Sequence, residues 1–360
     1  MTTLEGPRRA ELPRWDVTNV FPSLESREYA AARESVSAGI TRLSALYDEH
    51  DVRGGAEREV DDATVAAFDE VIAATNELLD RLRIVGAFTS SFVTTDARDD
   101  QAQAELSAMQ AEQAELSRLR GRFDAWVASL GPGALVARST VAADHAFPLE
   151  RAALRATHQM TEAEEGLAAD LQLTGGSAWS RLYRDVTARL TATVRSGDGG
   201  GGEETMPFSA VRGLAFDPDG DRRRRAYEAE LEACRSVAVP IAAALNGIKG
   251  EAITLNRRRG WADGLEPALA NNNVDRATLD AMQEAVVASF PDFRRYLRAK
   301  ARLLGRDGGL PWYDLFGPVG GEHAPRYAWD EATDAVRSSF GGYSERLEGL
   351  ARRALDEQWV

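Results

Sequence analysis

Cysteine and histidine are scarce in this 360-residue sequence, and each shortage excludes something. Cys234 is the single cysteine, so no intramolecular disulfide framework and no multi-cysteine zinc or iron–sulfur cluster can form. The four histidines, His50, His145, His158 and His323, leave little room for a histidine metal site. No G-x-S-x-G occurs, which removes the commonest local cue for a serine hydrolase. Long apolar runs are missing too. The longest, Val237 to Leu245, contains Pro240 and falls far short of the about 20 residues a membrane span needs. Met1 to Asp16 is polar, carries Pro7 and Pro13, and has no apolar core of a signal peptide. The expectation is a cytoplasmic protein with no membrane partner.

What is present is acidic. The chain has 43 basic against 57 acidic residues, a net charge of −14 and a pI near 4.9, which argues against nucleic acid as the partner. At 44% hydrophobic and 28% charged, it has the composition of a folded globular chain. The length suggests two domains. Lys249 and Lys300 are the only lysines, so arginine supplies nearly all the positive charge.

The pattern predicts a mainly α fold. Leu12 to Ser23 reads as extended, and helix begins at about Ser26. Val65, Phe68, Ile72, Leu79 and Leu82 recur at helical spacing and predict one buried face. Residues 97 to 130 predict a long helix with a seam of Leu106, Met109, Leu116, Phe123, Val127 and Leu130, stopped by Gly131-Pro132-Gly133. Thr161 and Glu164 form a capping box opening a helix that ends before Thr174, and another helix starts near Ser177. Ala188 to Val194 alternates like a strand, and Thr205 to Phe208 would return as the second arm of a hairpin. A long helical stretch follows from Asp221 to Arg259, kinked near Pro240. Further helices are expected over Arg276 to Ser289 and Asp292 to Leu304, with Asp330 and Ser344 as N-caps of the last two.

Several features invite a functional reading and reduce to ordinary ones. Gly197, Gly199 and Gly202 make a formal G-x-G-x-x-G, but Glu203 and Glu204 follow where a dinucleotide pyrophosphate would sit, so the run reads as a hairpin turn. Arg222 to Arg225 reads as a solvated helix face, with Arg224 and Glu228 an i,i+4 pair. Arg257 to Arg259 before Gly260 suits a helix C-terminus. His158, Glu162 and Glu165 have ligand-like spacing, but with Thr161 as an N-cap His158 belongs to the preceding segment and points elsewhere. His145 and His323 have no partner at ligand spacing, and Cys234 reads as a small buried hydrophobe.

The order of segments nevertheless resembles a known family. Leu12-Pro13-Arg14-Trp15-Asp16 with Phe21-Pro22-Ser23-Leu24 resembles the N-terminus of the oligoendopeptidase F branch of the M3 metallopeptidases. So does Glu164-Glu165 followed by Leu173-Thr174-Gly175-Gly176-Ser177-Ala178-Trp179. Ala226 to Leu231 and Leu245 to Gly250 look like the start of the family's catalytic domain, and Trp312-Tyr313-Asp314-Leu315 is similar to a further family segment. The resemblance implies a multi-helical, two-lobed metallopeptidase-like architecture with one small β-hairpin. It implies residues 1–195 as an N-terminal helical domain, and 196–360 as the hairpin and first helices of a catalytic-like domain. It also implies a zinc-dependent oligoendopeptidase hydrolysing internal bonds of oligopeptides in a deep channel.

The family's zinc is held by H-E-x-x-H plus a glutamate on the next helix. Here no histidine is followed by glutamate and no two lie four apart. In the family that motif lies beyond the segment resembling Ala351 to Val360, so the chain is expected to stop before it. No catalytic, cofactor-binding or metal residue is therefore assigned. No zinc is expected on this chain, and inactivity alone is the expectation. The alternatives are a non-catalytic peptide-binding protein, or a structural helical protein associating through the 97–130 seam.

Overall fold

A computed structural model describes residues 13–14, 16–96, 98–195, 202–319 and 327–359. The fold is mainly α-helical with one small antiparallel hairpin. Three long helices come first: α1 (Arg27–Glu49), α2 (Asp62–Thr95) and α3 (Asp100–Leu130). Shorter ones follow: α4 (Pro132–Arg138), α5 (Thr140–Asp144), α6 (Ala146–Ala156), α7 (Glu162–Gln172) and α8 (Gly176–Ala188). The hairpin pairs β1 (Thr191–Arg195) with β2 (Glu203–Pro207), with Thr193 opposite Thr205 and their hydroxyls 2.8 Å apart. The glycine run expected to turn it lies, apart from Gly202, outside the described residues. Then come α9 (Phe208–Gly213), α10 (Gly220–Ser236), α11 (Ala238–Arg258), α12 (Leu265–Asn272), α13 (Arg276–Leu303), α14 (Trp329–Tyr343) and α15 (Glu345–Asp356). No single helix among the described residues is long and apolar enough to cross a membrane.

The residues group into two compact units. One comprises 1–39, 76–107 and 323–360. Its core holds Tyr29 and Phe88, with the half-buried Phe21 ring edge-to-face on Phe88 at 5.0 Å. Buried Tyr29 and Thr89 meet through their hydroxyls at 2.8 Å, and Thr89 donates onward to the Val85 carbonyl. The Asp16 amide donates to the Gln358 carbonyl at 2.9 Å within the same unit.

The other unit comprises 40–75 and 108–322. Phe68 packs near Trp126 at 6.1 Å, and Ala192, Val194, Val211, Ala226 and Ala233 join α10 to the hairpin. α8 lies on α11 through complementary shapes. Gly247 leaves room for the Trp179 indole, and the Glu251 carboxylate accepts the Gly176 amide at the start of α8.

The structure corrects several expectations. In α2 the buried residue is Leu78 at 2% exposure, while Leu79 is 53% exposed. Phe68, Val71, Ile72, Leu78 and Val85 are among the buried apolar positions there, so the buried stripe drifts around the helix along its length. In α3, Val127 and Leu130 are buried as expected, but so are Leu119 and Trp126, which widens the seam into a face. The stretch from Asp221 to Arg259 is two helices meeting at 64° around Val237, with Pro240 in the first turn of α11, where it displaces no helical hydrogen bond.

Pro291, expected to divide two helices, lies inside a continuous α13. Val287 and Pro291 are exposed, so water can satisfy the carbonyl whose amide partner is missing. α14 starts two residues earlier than expected, with Ala328 rather than Asp330 at the N-cap and Glu331 accepting from the Ala328 amide at 2.8 Å. Ser344 holds the N-cap position of α15 without a side-chain cap bond.

Candidate functional site

The unit built on residues 40–75 and 108–322 contains a cavity of about 710 Å³ between α3, the α6–α7 connection, the end of α11 and α12. Its walls follow from local sequence. Thr161 caps α7, accepting from the Glu164 amide, while Glu164 accepts from the Thr161 amide, as the sequence predicted. One residue on, Glu165 accepts from the Met160 amide at 3.1 Å and receives both Nε and Nη2 of Arg259, at 3.0 and 2.7 Å. Arg258 reaches Glu164 at 2.9 Å.

Arg259 stands at the C-cap of α11 because Gly260 follows in the left-handed region, φ +72°. The Gly260 amide donates to the Arg257 carbonyl and the Trp261 amide to the Asn256 carbonyl, a Schellman turn. That turn delivers Trp261 onto His158. Their rings stack with centroids 3.4 Å apart and planes 11° from parallel. His158 Nδ1 donates to the Arg259 carbonyl at 3.2 Å.

On the opposite wall Asp124 is buried and takes two hydrogen bonds from Arg155, at 2.7 and 2.6 Å. Burial pushes the Asp124 carboxyl up, against those hydrogen bonds. Burial also raises Glu165, but Arg259 and the Met160 amide outweigh it and leave that carboxyl below its ordinary value. Gln159 donates to the Gly121 carbonyl at 2.9 Å. The cavity thus combines an aromatic platform, amide side chains and paired charges.

The other sequence candidates scatter. His50 meets Glu70 at 3.1 Å, and His145 Nδ1 bonds the Val141 carbonyl at 2.7 Å. His323 lies outside the described residues. Among the described residues no three His, Cys, Asp or Glu side chains group as metal ligands, so those present do not compose a zinc site.

Cys234 is exposed, not buried, because α10 turns Ala226, Ala229 and Ala233 to the hairpin and Cys234 lies about 100° around the helix from Ala233. Arg223 departs from the solvated face expected for residues 222–225. It is buried against Asp314, with Nη2 to Oδ1 at 2.7 Å, and Arg306 holds the other oxygen at 2.6 Å. Arg224 and Glu228 pair as expected, at 3.4 Å.

The Oligopeptidase F family matches residues 134–191 of this chain, from α4 to the start of β1. "Oligopeptidase PepF" of Bacillus subtilis is 21% identical over 204 residues, 56% of this chain and 30% of that protein. An "Oligoendopeptidase F homolog" of Lactococcus lactis is 22% identical over 102 residues, 28% of this chain and 17% of that one. In three dimensions the fold is similar to the oligoendopeptidase-F from Enterococcus faecium, with a TM-score of 0.67 at 15% identity, covering 92% of this chain and 67% of the other. The aligned part therefore spans less than a third of the length of the two sequence relatives. At low identity and over part of its length, the chain is homologous at family level to the M3/oligoendopeptidase F peptidases.

Proposed function

We propose that this chain binds oligopeptides as part of an oligoendopeptidase F-like architecture and hydrolyses none with its own residues. The family-level homology supports the peptide as ligand. The observation that carries the second half is the arrangement of the histidines. Zinc peptidases of this kind need two histidines on one helix face, one followed by a glutamate. Here His50, His145 and His158 stand on three separate segments, bonded to Glu70, Val141 and Arg259 respectively. Residues 1–195 would form the N-terminal helical domain and 196–360 the hairpin and first helices of the catalytic-like one. Limited proteolysis tests that boundary by whether a fragment ending near Arg195 persists.

The deciding experiment combines metal analysis with peptide mapping. The purified chain should hold no stoichiometric zinc and leave a mixture of short peptides intact by mass spectrometry, while binding peptide in calorimetry. One equivalent of zinc with chelator-sensitive cleavage would overturn the reading, and so would the absence of any peptide binding.

A further inference from the structure

The cavity is locally basic in a chain of net charge −14: six arginines line it against four carboxylates. Five of the arginines are already held. Arg53 pairs with Asp51, Arg118 with Glu115 and Asp170, Arg122 with Asp48, Arg155 with Asp124, and Arg259 with Glu165. Arg120 is different. It forms no hydrogen bond or ion pair among the described residues, and only its charge acts on Asp124 across the wall.

The carboxylates divide the same way. Glu115, Asp124 and Glu165 each have an arginine, whereas Glu162, at the start of α7, has no hydrogen bond or ion pair among the described residues. The side-chain amides of Gln172 and Asn256 on the same walls are equally unengaged there.

We propose that this cavity holds a short oligopeptide by its free termini, the carboxylate on Arg120 and the ammonium on Glu162. The inference rests on the peptide-binding reading above and adds the selection rule. A guanidinium matches a carboxylate in shape and charge, and a carboxylate accepts from an ammonium. Gln172 and Asn256 offer both donors and acceptors to peptide bonds, and the stacked His158 and Trp261 rings provide a flat wall. The volume of about 710 Å³ lies within the range of sites for drug-sized ligands, which suits a peptide of a few residues. A protein segment, lacking charged termini, would leave both unpaired groups unanswered. The site therefore selects for peptides that have already been cut.

Titration calorimetry with one alanine-rich tetrapeptide in four forms tests this: both termini free, C-terminally amidated, N-terminally acetylated, and doubly blocked. Each block should weaken binding about tenfold, as expected for losing one charge-assisted contact. Raising salt should narrow the differences. Arg120→Gln should abolish the penalty for amidation and keep that for acetylation, and Glu162→Gln should do the reverse. Both side chains are exposed and unpaired, so the variants should melt at the native temperature. Equal binding of all four peptides to the native chain would overturn the proposal while leaving peptide binding intact. Penalties that persist in both variants would overturn it as well. No binding of any form would remove the peptide-binding reading itself.

Discussion

Asp314, at 0% exposure, and Arg223, at 3%, are bonded to each other across 91 residues of sequence. Arg223 also donates Nη1 to the carbonyls of Asp217 and Pro218, so the guanidinium ties the start of α10 to the segment after α13. Asp314→Asn removes the counter-charge and leaves Arg223 buried without one, at an expected cost of about 3–5 kcal/mol in urea unfolding. The double variant Asp314→Leu with Arg223→Met should be more stable than Asp314→Asn alone. A double variant as damaged as the single one would show that the charges themselves are not what matters there.

Two glycines on α11 should respond in opposite directions. A Cβ at Gly247 would lie 2.5 Å from the Trp179 Nε1, whereas one at Gly250 meets nothing within 4 Å. Gly247→Ala is expected to destabilise by about 1–3 kcal/mol through overpacking. Gly250→Ala should stabilise by up to about 1 kcal/mol through helix propensity. Chemical denaturation of the two proteins settles it, and matching outcomes would disprove the packing account of α8 on α11.

Glu165 gives a pH signature. Its pKa is lowered in the folded chain, so its contribution is present above the ordinary carboxylate value and is lost as pH falls through the folded one. Glu165→Gln should therefore be less stable than the native chain near pH 7. The gap should close as the pH falls below the lowered folded value. A gap that stays constant with pH would mean that Arg259 gains nothing from the charge of its partner.

Along α13, Met282, Val286, Phe290 and Phe293 recur at helical spacing and all are exposed, Phe293 at 61%. Isolated exposed apolar side chains are ordinary, but a continuous stripe is not. The purified chain should bind the dye ANS. Phe290→Ser together with Phe293→Ser should cut that fluorescence by about half without lowering the melting temperature. Unchanged fluorescence would place the dye elsewhere.

Features set by neighbours in sequence were legible. The Thr161–Glu164 box, the stop at Gly131 and the helix end at Gly260 each depend on residues within about one turn. The hairpin was read within a few residues at each end, since its alternation is local. What escaped depends on distant partners. Nothing near Arg223 announces Asp314, and an arginine beside three others reads as solvated. The cavity was invisible for the same reason. Glu165 and Arg259 lie 94 residues apart, and His158 meets Trp261 only because Gly260 reverses the chain. Pro291 was misread because a proline rule takes no account of water at an exposed carbonyl.

The stack of His158 on Trp261 also makes the cavity optically readable. An indole held flat against an imidazole emits according to what surrounds the pair, and a ligand entering the cavity changes that surrounding by displacing water from the exposed part of the ring. The chain has 7 tryptophans, so the change rides on the emission of the others. Subtracting the spectrum of Trp261→Phe isolates it. Entry of any unlabelled compound can then be followed in real time, because the cavity wall carries its own fluorophore.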